Sequence, residues 1–306
     1  MDLAALVSPL TADEFHEHVF RRRALHVPGR LERFAELLRE HFCSGDLDEL
    51  LEVTASEHIF AWMRNAAAGV NLKLGSVELS SAADARTAWS GGASLYFRSS
   101  QSACDAIVPG LARSIGFAEG TVERSEIEVF ASRKGHVTDW HFDFMENITL
   151  QISGRKRWDV RHSRVKHPLR GCTPHYVDDD DTLEQQVKVH RVHCPSFSVR
   201  EAPPPTPGAA AAAPAIAAPS ASVELVSGSV FYFPAGMLHK VTCTEDSLSI
   251  NVSFMAPTWS DVFSEALRQT MWSYDAFREC AILSDAHWRA RAAAARGDPA
   301  RSASLR

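Results

Sequence analysis

Two short motifs, far apart in the chain, constrain the fold more than any other feature of the sequence. The first is an apolar run at 127–131 followed by a turn and then by His141-Phe142-Asp143. The second is another apolar run, a Pro-Ala-Gly turn and then His239. Residues one apart on a strand point to the same face, so His141 and Asp143 can bind one ion together. This order predicts a β-rich fold in which two distant strands bring three polar side chains to one point.

The chemistry of this set indicates a metal. Two imidazoles and one carboxylate are the ligands of the facial triad that holds non-haem Fe(II) and leaves coordination positions open. An HxD pair alone is weak evidence in a chain with 14 His, but the order of strand, HxD, long gap, strand and His is much stronger. We therefore expect His141, Asp143 and His239 to be the metal ligands and the catalytic centre.

The motifs carry a resemblance to a known family. The stretch from about 126 to 160, with His141-Phe-Asp143, Asn147 and Gly154-Arg-Lys156-Arg-Trp158, resembles the Jumonji-C and cupin-type oxygenases that use Fe(II), 2-oxoglutarate and O2. Within that family it is similar to the ribosomal oxygenases and to the asparaginyl hydroxylase of hypoxia-inducible factor. The resemblance covers roughly residues 90–265. It implies a double-stranded β-helix, the cupin or jelly-roll barrel, in a protein that is mainly β with N-terminal and C-terminal helical segments.

The resemblance also implies which residues hold 2-oxoglutarate. The family places a basic residue fifteen positions after the first His, where it pairs with the distal carboxylate; here that residue is Lys156. Thr138, three residues before His141, matches a Thr found in some members. Tyr96 is the candidate for a Tyr on an earlier strand, and Asn147 stands where the related hydroxylase has an Asn.

The pattern along the chain predicts three regions. Residues 1–90 read as a mostly helical segment, 91–257 as the barrel domain, and 258–306 as a C-terminal helical segment. The Pro- and Ala-rich stretch 201–222 is of low complexity and is predicted to be a disordered or extended loop, more simply a spacer than a substrate-contacting flap. Within the barrel, we expect Gly154 to end one strand and the next strand to begin near Lys156.

Local signals support this division. Thr11-Ala-Asp-Glu14 is a capping box that predicts a helix start, and 24–28 is a candidate short strand. The C-terminal segment carries more apolar residues than one short helix needs to cover a barrel edge, so it predicts a homodimer as an alternative to a helix packed on its own barrel. These apolar positions are Val262, Leu267, Met271, Trp272, Phe277 and Ile282.

Composition limits the classes of protein. A net charge of −6 gives no case for DNA binding. The six Cys show no CxxC pair, so we expect reduced thiols; a zinc site at Cys194 with His190 and His193 lacks a second nearby Cys. The sequence shows neither a signal-peptide pattern nor an apolar run of membrane length. We expect a soluble, cytoplasmic protein with no membrane partner.

These observations predict an oxygenase that hydroxylates an amino-acid side chain in a protein or peptide substrate. Three alternatives stay open. Demethylation of N-methyl-lysine uses the same oxidation step, a tailoring enzyme would act on a peptide or small-molecule natural product, and a cupin without catalytic activity would only bind a metal. The sequence does not identify the substrate or the residue type that is hydroxylated.

Overall fold

The computed structural model describes residues 2–62, 76–118, 120–121, 124–162, 167–169, 187–188, 191–192, 194–198 and 220–279. The chain divides into two compact units, Met1–Ala256 and Pro257–Arg306. The predicted loop at 201–222 lies outside the described residues as far as 219, and its last three positions belong to a strand that begins at Ser220. The candidate zinc site also involves His190 and His193, which lie outside the described residues.

Helices of the first unit lie mostly before the barrel strands. The predicted capping box is confirmed: the Thr11 side chain accepts from the backbone N–H of Glu14, and the Glu14 carboxylate accepts from the backbone N–H of Thr11. Asp46, Ser81 and Ser100 are the N-caps of three further helices. The side-chain oxygen of each accepts a hydrogen bond from a backbone N–H in the first turn that would otherwise lack a partner. The helices are α1 (Leu3–Val7), α2 (Ala12–His18), α3 (Ala35–His41), α4 (Leu47–Glu52), α5 (Ala82–Ser90) and α6 (Gln101–Ile115).

Ten strands in the described part of the chain form one antiparallel sheet system. The candidate strand at 24–28 is confirmed as β1, and the mostly helical segment 1–90 also contributes β2 and β3 to the sheet. The strands are β1 (Leu25–Val27), β2 (Ile59–Trp62), β3 (Ser76–Leu79), β4 (Ser94–Arg98), β5 (Glu126–Ser132), β6 (Val137–His141), β7 (Glu146–Arg161), β8 (Ser220–Val226), β9 (Val230–Phe233) and β10 (Leu238–Phe254).

Two long strands, β7 and β10, connect the two layers of the barrel. The first half of β7 pairs with β9 and its second half with β8. The first half of β10 pairs with β6 and its second half with β5, while β7 and β10 pair with each other along their length. Each long strand therefore belongs to two layers. The larger layer has the order β1-β9-β7-β10-β5-β4-β2-β3, and the smaller layer has the order β8-β7-β10-β6. This is the predicted double-stranded β-helix, or jelly roll.

The change of layer takes place at Gly154, where the sequence-based expectation is wrong. Gly154 does not end a strand; β7 runs through it from Glu146 to Arg161. Its φ of +66° is a left-handed conformation that favours glycine, and a Cβ there would collide with the backbone carbonyl oxygen of Asp246. The register of β10 against β7 shifts over the facing positions, between Cys243 and Ser249. The glycine bends a continuous strand, and the pairing continues beyond it.

The main hydrophobic core lies on the outer face of the larger layer, against the N-terminal helices. Apolar residues of β5, β7 and β10 at alternate positions join helix residues there, among them Phe15, Leu38 and Leu111. The intervening positions of the same strands face the inside of the barrel and are largely polar, although they too are buried. The cavity of the barrel is therefore lined by a polar inner face, and this inner face positions the site.

The second unit, in its described part, contains two helices, α7 (Trp259–Trp272) and α8 (Asp275–Arg278). Helix α7 begins with a capping box between Thr258 and Asp261. None of the residues of α7 is buried. The predicted apolar position Ile282 lies outside the described residues. No helix in the part of the chain that the structure describes has the length and apolar composition needed to cross a membrane.

Candidate metal centre and its cavity

Strands β6 and β10 bring the three predicted ligands together. His141 is the last residue of β6 and stands opposite His239 in the pairing of these strands, and Asp143 follows two residues later. His141, Asp143 and His239 each offer one ligand atom, and these three atoms lie within 4.8 Å of one another. Asp143 Oδ2 lies 3.7 Å from His239 Nε2.

The backbone sets the tautomer of both imidazoles. His141 Nδ1 lies 2.7 Å from the carbonyl oxygen of Asp139, and His239 Nδ1 lies 3.0 Å from that of Met237. A carbonyl oxygen can only accept, so each Nδ1 carries the proton and each Nε2 carries the lone pair that a metal requires. This arrangement, in which the other ring nitrogen is held by an acceptor, is typical of metal-binding His.

The burial of Asp143 means that its ionised form needs a positive charge nearby. Burial raises the pKa of Asp143, and the positive charge that His141 can carry opposes that rise. A divalent ion at this position would stabilise the ionised carboxylate, since the charge of a bound ion dominates its surroundings. His239 is buried and its ring stacks on Trp158 at 5.5 Å, so its orientation is fixed before any ion binds. The three side chains fit an Fe(II)-type ion.

The metal centre opens into a cavity of about 120 Å³ between the two layers. This is several times the volume of about 10–15 Å³ that one water needs, so the cavity can hold a small ligand. Residues of both layers line it, and the polar ones are Glu128, Ser132, His136, Thr138, His141, Asp143, Thr149, Lys156, His239, Cys243, Ser249 and Asn251. The predicted residue Thr138 is among them.

Lys156 supplies a buried cation to the same cavity. Its side chain is 4% exposed, its Nζ donates to Ser249 Oγ at 2.7 Å, and it lies 5.5 Å from the centre of the Phe130 ring. Burial lowers the pKa of Lys156 to about 8, and the nearby Cys243 opposes this shift. Among the residues that the structure describes, Lys156 is the only buried lysine. A buried ammonium needs an anion, which a carboxylate ligand would provide.

Two other predicted residues, Asn147 and Tyr96, contact residues of the cavity wall but do not themselves line the cavity. Asn147 is fully buried, and its Nδ2 is 3.4 Å from Asp143 Oδ2. The hydroxyl of Tyr96 donates to Glu128 Oε1 at 2.6 Å. The structure thus places Asn147 beside a metal ligand and Tyr96 beside a buried carboxylate. Their predicted contact with 2-oxoglutarate stays a prediction.

His136 also lines the cavity, outside the group of three residues that can hold a metal. Its ring stacks on Trp62 with centroids 5.5 Å apart and an angle of 15° between the planes. Burial, followed by the charge of Lys156, lowers the pKa of His136 to about 4. The imidazole is therefore neutral near pH 7 and forms an aromatic wall together with Trp62.

Sequence reasoning missed a set of buried polar residues on the inner face of the larger layer. They are Glu128 on β5, Thr149 on β7, and Ser249, Asn251 and Ser253 on β10. The signal that could have found them is alternation. Strand β10 reads Leu248, Ser249, Ile250, Asn251, Val252, Ser253, Phe254, with every second residue polar. In a closed barrel the polar positions of such a strand line the interior.

Comparisons with known proteins agree with this architecture. The model of the cupin-like domain family matches residues 56–258. The chain is 26% identical over 298 residues to the Bacillus subtilis (strain 168) protein named uncharacterized protein YxbC, covering 92% of this chain and 78% of that protein. It is 27% identical over 125 residues to ribosomal oxygenase 1 of Danio rerio, covering 40% of this chain and 17% of that protein.

Solved structures of an Escherichia coli protein are among those that match this chain. The X-ray structure of ycfD has a TM-score of 0.45 at 16% identity, with 90% of this chain and 60% of that chain covered. A structure of YcfD, a ribosomal oxygenase, in complex with cobalt and 2-oxoglutarate has a TM-score of 0.43 at 14% identity, with 90% and 62% covered. This chain thus spans less than two thirds of the length of those proteins.

The match to the family model extends over more than half of the chain and includes every strand from β2 to β10. Its range contains both metal-ligand motifs and Lys156. The chain belongs to the cupin-like domain family.

Proposed function

We propose that this protein is an Fe(II)- and 2-oxoglutarate-dependent oxygenase that hydroxylates an amino-acid side chain of a protein or peptide. One observation carries the proposal: a three-ligand metal centre and a buried lysine line the same cavity. 2-Oxoglutarate has a keto acid end that chelates a metal and a distal carboxylate that needs a cation. The two features of the cavity match the two ends of that molecule.

The residues have separate roles in this proposal. His141, Asp143 and His239 hold the ion, and their fixed orientation leaves the remaining positions open. Lys156 pairs with the distal carboxylate, and its partner Ser249 holds the ammonium in place. When bound, iron with 2-oxoglutarate and O2 supplies the oxidation: one oxygen atom enters a C–H bond of the substrate, and the other leaves in succinate as CO2 is released.

A protein or peptide substrate is supported by the partial sequence similarity to ribosomal oxygenase 1. The walls of the cavity include the rings of Phe130, Trp158 and Phe233. These rings limit the access of water to the reacting carbon.

The test is turnover of 2-oxoglutarate by the purified protein with Fe(II), started by adding O2. We expect succinate that requires both iron and O2, and a gain of one oxygen atom by a substrate peptide in mass spectrometry. Release of formaldehyde from methyl-lysine peptides would instead indicate demethylation. Metal binding with no succinate in the presence of any candidate substrate would overturn the proposal in favour of a cupin that only binds a metal.

A further inference from the structure

A buried carboxylate that the proposed function does not use lies in the cavity wall. Glu128 on β5 is 8% exposed, and burial raises its pKa. Its oxygens accept three hydrogen bonds: from the Tyr96 hydroxyl at 2.6 Å, from Ser253 Oγ at 2.8 Å and from Asn251 Nδ2 at 2.9 Å. Every one of these partners is a donor, which is the arrangement that a buried acceptor requires.

The bonds around Asn251 determine which way its amide points. Thr149 Oγ1 donates to Asn251 Oδ1 at 2.8 Å, so the oxygen of the amide faces Thr149. The Nδ2 of Asn251 then faces Glu128 Oε2 and Asn147 Oδ1, each at 2.9 Å. An NH2 group has two hydrogens, which these two oxygens share with Ser253 Oγ, also at 2.9 Å. Glu128 therefore provides the acceptor that keeps the nitrogen of Asn251 on this side.

The orientation of Asn147 follows from that of Asn251. Its Oδ1 accepts from Asn251 Nδ2. Ser253 Oγ lies 2.8 Å from the same oxygen, but the single hydrogen of that hydroxyl is donated to Glu128. Its Nδ2 must then point away, and it donates to the carbonyl oxygen of Met145 at 3.0 Å and to Asp143 Oδ2 at 3.4 Å. That carboxylate oxygen of Asp143 is the one that lies 3.7 Å from the metal-binding nitrogen of His239.

We propose that Glu128 is a positioning residue for the metal-binding carboxylate. By accepting from Asn251 and Ser253 it fixes the amide of Asn147, and Asn147 in turn holds Asp143 in the rotamer that meets His239. If the acceptor is removed, Asn251 and Asn147 can both turn over, and the oxygen of Asn147 would then face the carboxylate of Asp143 and repel it. The inference rests on the metal site of the proposed function and requires neither 2-oxoglutarate nor a substrate.

The test is the affinity for Co(II) alone, followed by visible absorption in the absence of 2-oxoglutarate. Glu128→Leu removes the acceptor, so we expect a loss of roughly tenfold or more, as for other residues that support a metal ligand. Glu128→Gln keeps an oxygen for Asn251 and Ser253, because its NH2 can donate to the Tyr96 oxygen instead. We expect this variant to stay within about threefold of the wild type. Equal losses in both variants would show that only the charge of Glu128 matters and would overturn the proposal.

A double-mutant cycle tests the path through Asn147. In an Asn147→Ala background the amide that contacts Asp143 is gone, so Glu128→Leu should weaken Co(II) binding no further. Losses that simply add would overturn the path. If Glu128→Leu does not give folded protein, Thr149→Val takes its place, because it is nearly isosteric and removes the hydroxyl that fixes the Asn251 oxygen.

Glu146 offers a matched control. It is also a buried glutamate that accepts from a Tyr hydroxyl at 2.6 Å, here Tyr232, and it lies closer to Asp143 in sequence than Glu128 does. Its other side-chain partner is Arg21, at 3.3 Å, and not the Asn251 amide. Glu146→Leu should lower thermal stability while leaving Co(II) affinity near that of the wild type. A loss of affinity equal to that of Glu128→Leu would mean that any buried charge in this region has the same effect, against the proposal.

The outcome is separable from that of the proposed function. Wild-type protein that binds Co(II) but does not turn over 2-oxoglutarate would refute the oxygenase proposal and leave the role of Glu128 intact. Wild-type protein that does not bind Co(II) would refute both.

Discussion

Lys156 links the charge of one buried side chain to the pH dependence of ligand binding. Burial lowers its pKa to about 8, so the side chain carries a positive charge below that pH and becomes neutral above it. The affinity for 2-oxoglutarate should therefore be constant below about pH 7.5 and fall above about pH 8, approaching tenfold for each further pH unit. Titration of Co(II)-loaded protein with 2-oxoglutarate at several pH values measures this.

Two variants check the assignment. Arg remains charged at these pH values, so Lys156→Arg should keep part of the affinity and lose the fall above pH 8. Lys240 pairs with Asp139 at the surface, and Lys240→Ala should behave as the wild type. The same alkaline fall in Lys156→Arg would assign the titration to another group.

The metal ligands give the second prediction at this scale. His239→Ala should reduce Co(II) affinity by more than about a hundredfold, beyond the 10–100-fold typical of residues that only orient a ligand. The same is expected for His141→Ala and Asp143→Ala, and each should abolish succinate formation. His136→Gln changes an imidazole in the same cavity outside the triad, and its Co(II) affinity should stay close to that of the wild type. Thermal denaturation shows whether each variant is folded; near-normal metal binding by one of the alanine variants would remove that residue from the triad.

At the residue level, sequence predicted the metal motifs and Lys156 because their chemistry is specific and their spacing is unusual. It did not predict Glu128, Asn251 or Ser253 as site residues. In an isolated strand, a polar residue at every second position indicates a solvent-exposed face. Only closure of the barrel turns that face inward, and closure depends on pairings between strands that lie more than a hundred residues apart, such as β5 and β10.

At the level of elements, the bend of β7 depends on Gly154. Gly154→Ala adds a Cβ against the Asp246 carbonyl at a φ of +66°, so we expect a loss of more than about 1 kcal/mol in the free energy of unfolding. Gly110 in α6 is the control, since a Cβ there meets nothing within 4 Å. Gly110→Ala should stabilise by about 0.5–1 kcal/mol through helix propensity. Urea denaturation measures both, and equal effects of the two substitutions would show that the bend tolerates a side chain.

The same glycine shows where sequence reasoning reaches its limit for elements. A Gly between two apolar stretches ordinarily indicates a turn, and that reading divides β7 in two. The actual reason for the glycine is a close approach by the backbone of β10, which lies about ninety residues further along the chain.

Strands β2 and β3 were missed for a related reason. Each has four residues, too few to show a period, and both are held by pairing with each other and with β4.

At the level of the whole molecule, helix α7 exposes a row of large apolar side chains. Trp259, Phe263 and Leu267 recur at every fourth position on one side of the helix, and they are 75%, 66% and 60% exposed. Exposed apolar surface of this kind commonly marks a contact between proteins. A second copy of the chain is the simplest partner, because twofold assembly is the commonest oligomer.

We predict that the protein is a homodimer in which α7 contributes to the contact. A twofold contact buries each residue twice, so Phe263→Glu should cost about 3 kcal/mol or more, which corresponds to roughly a hundredfold weaker dimer. Arg268→Gln changes the net charge by the same amount on another side of α7 and should leave the dimer intact. Light scattering at micromolar concentration measures the mass of the wild type and of both variants. A monomeric mass for the wild-type chain would exclude the dimer, and a dimeric Phe263→Glu protein would place the contact outside this face of α7.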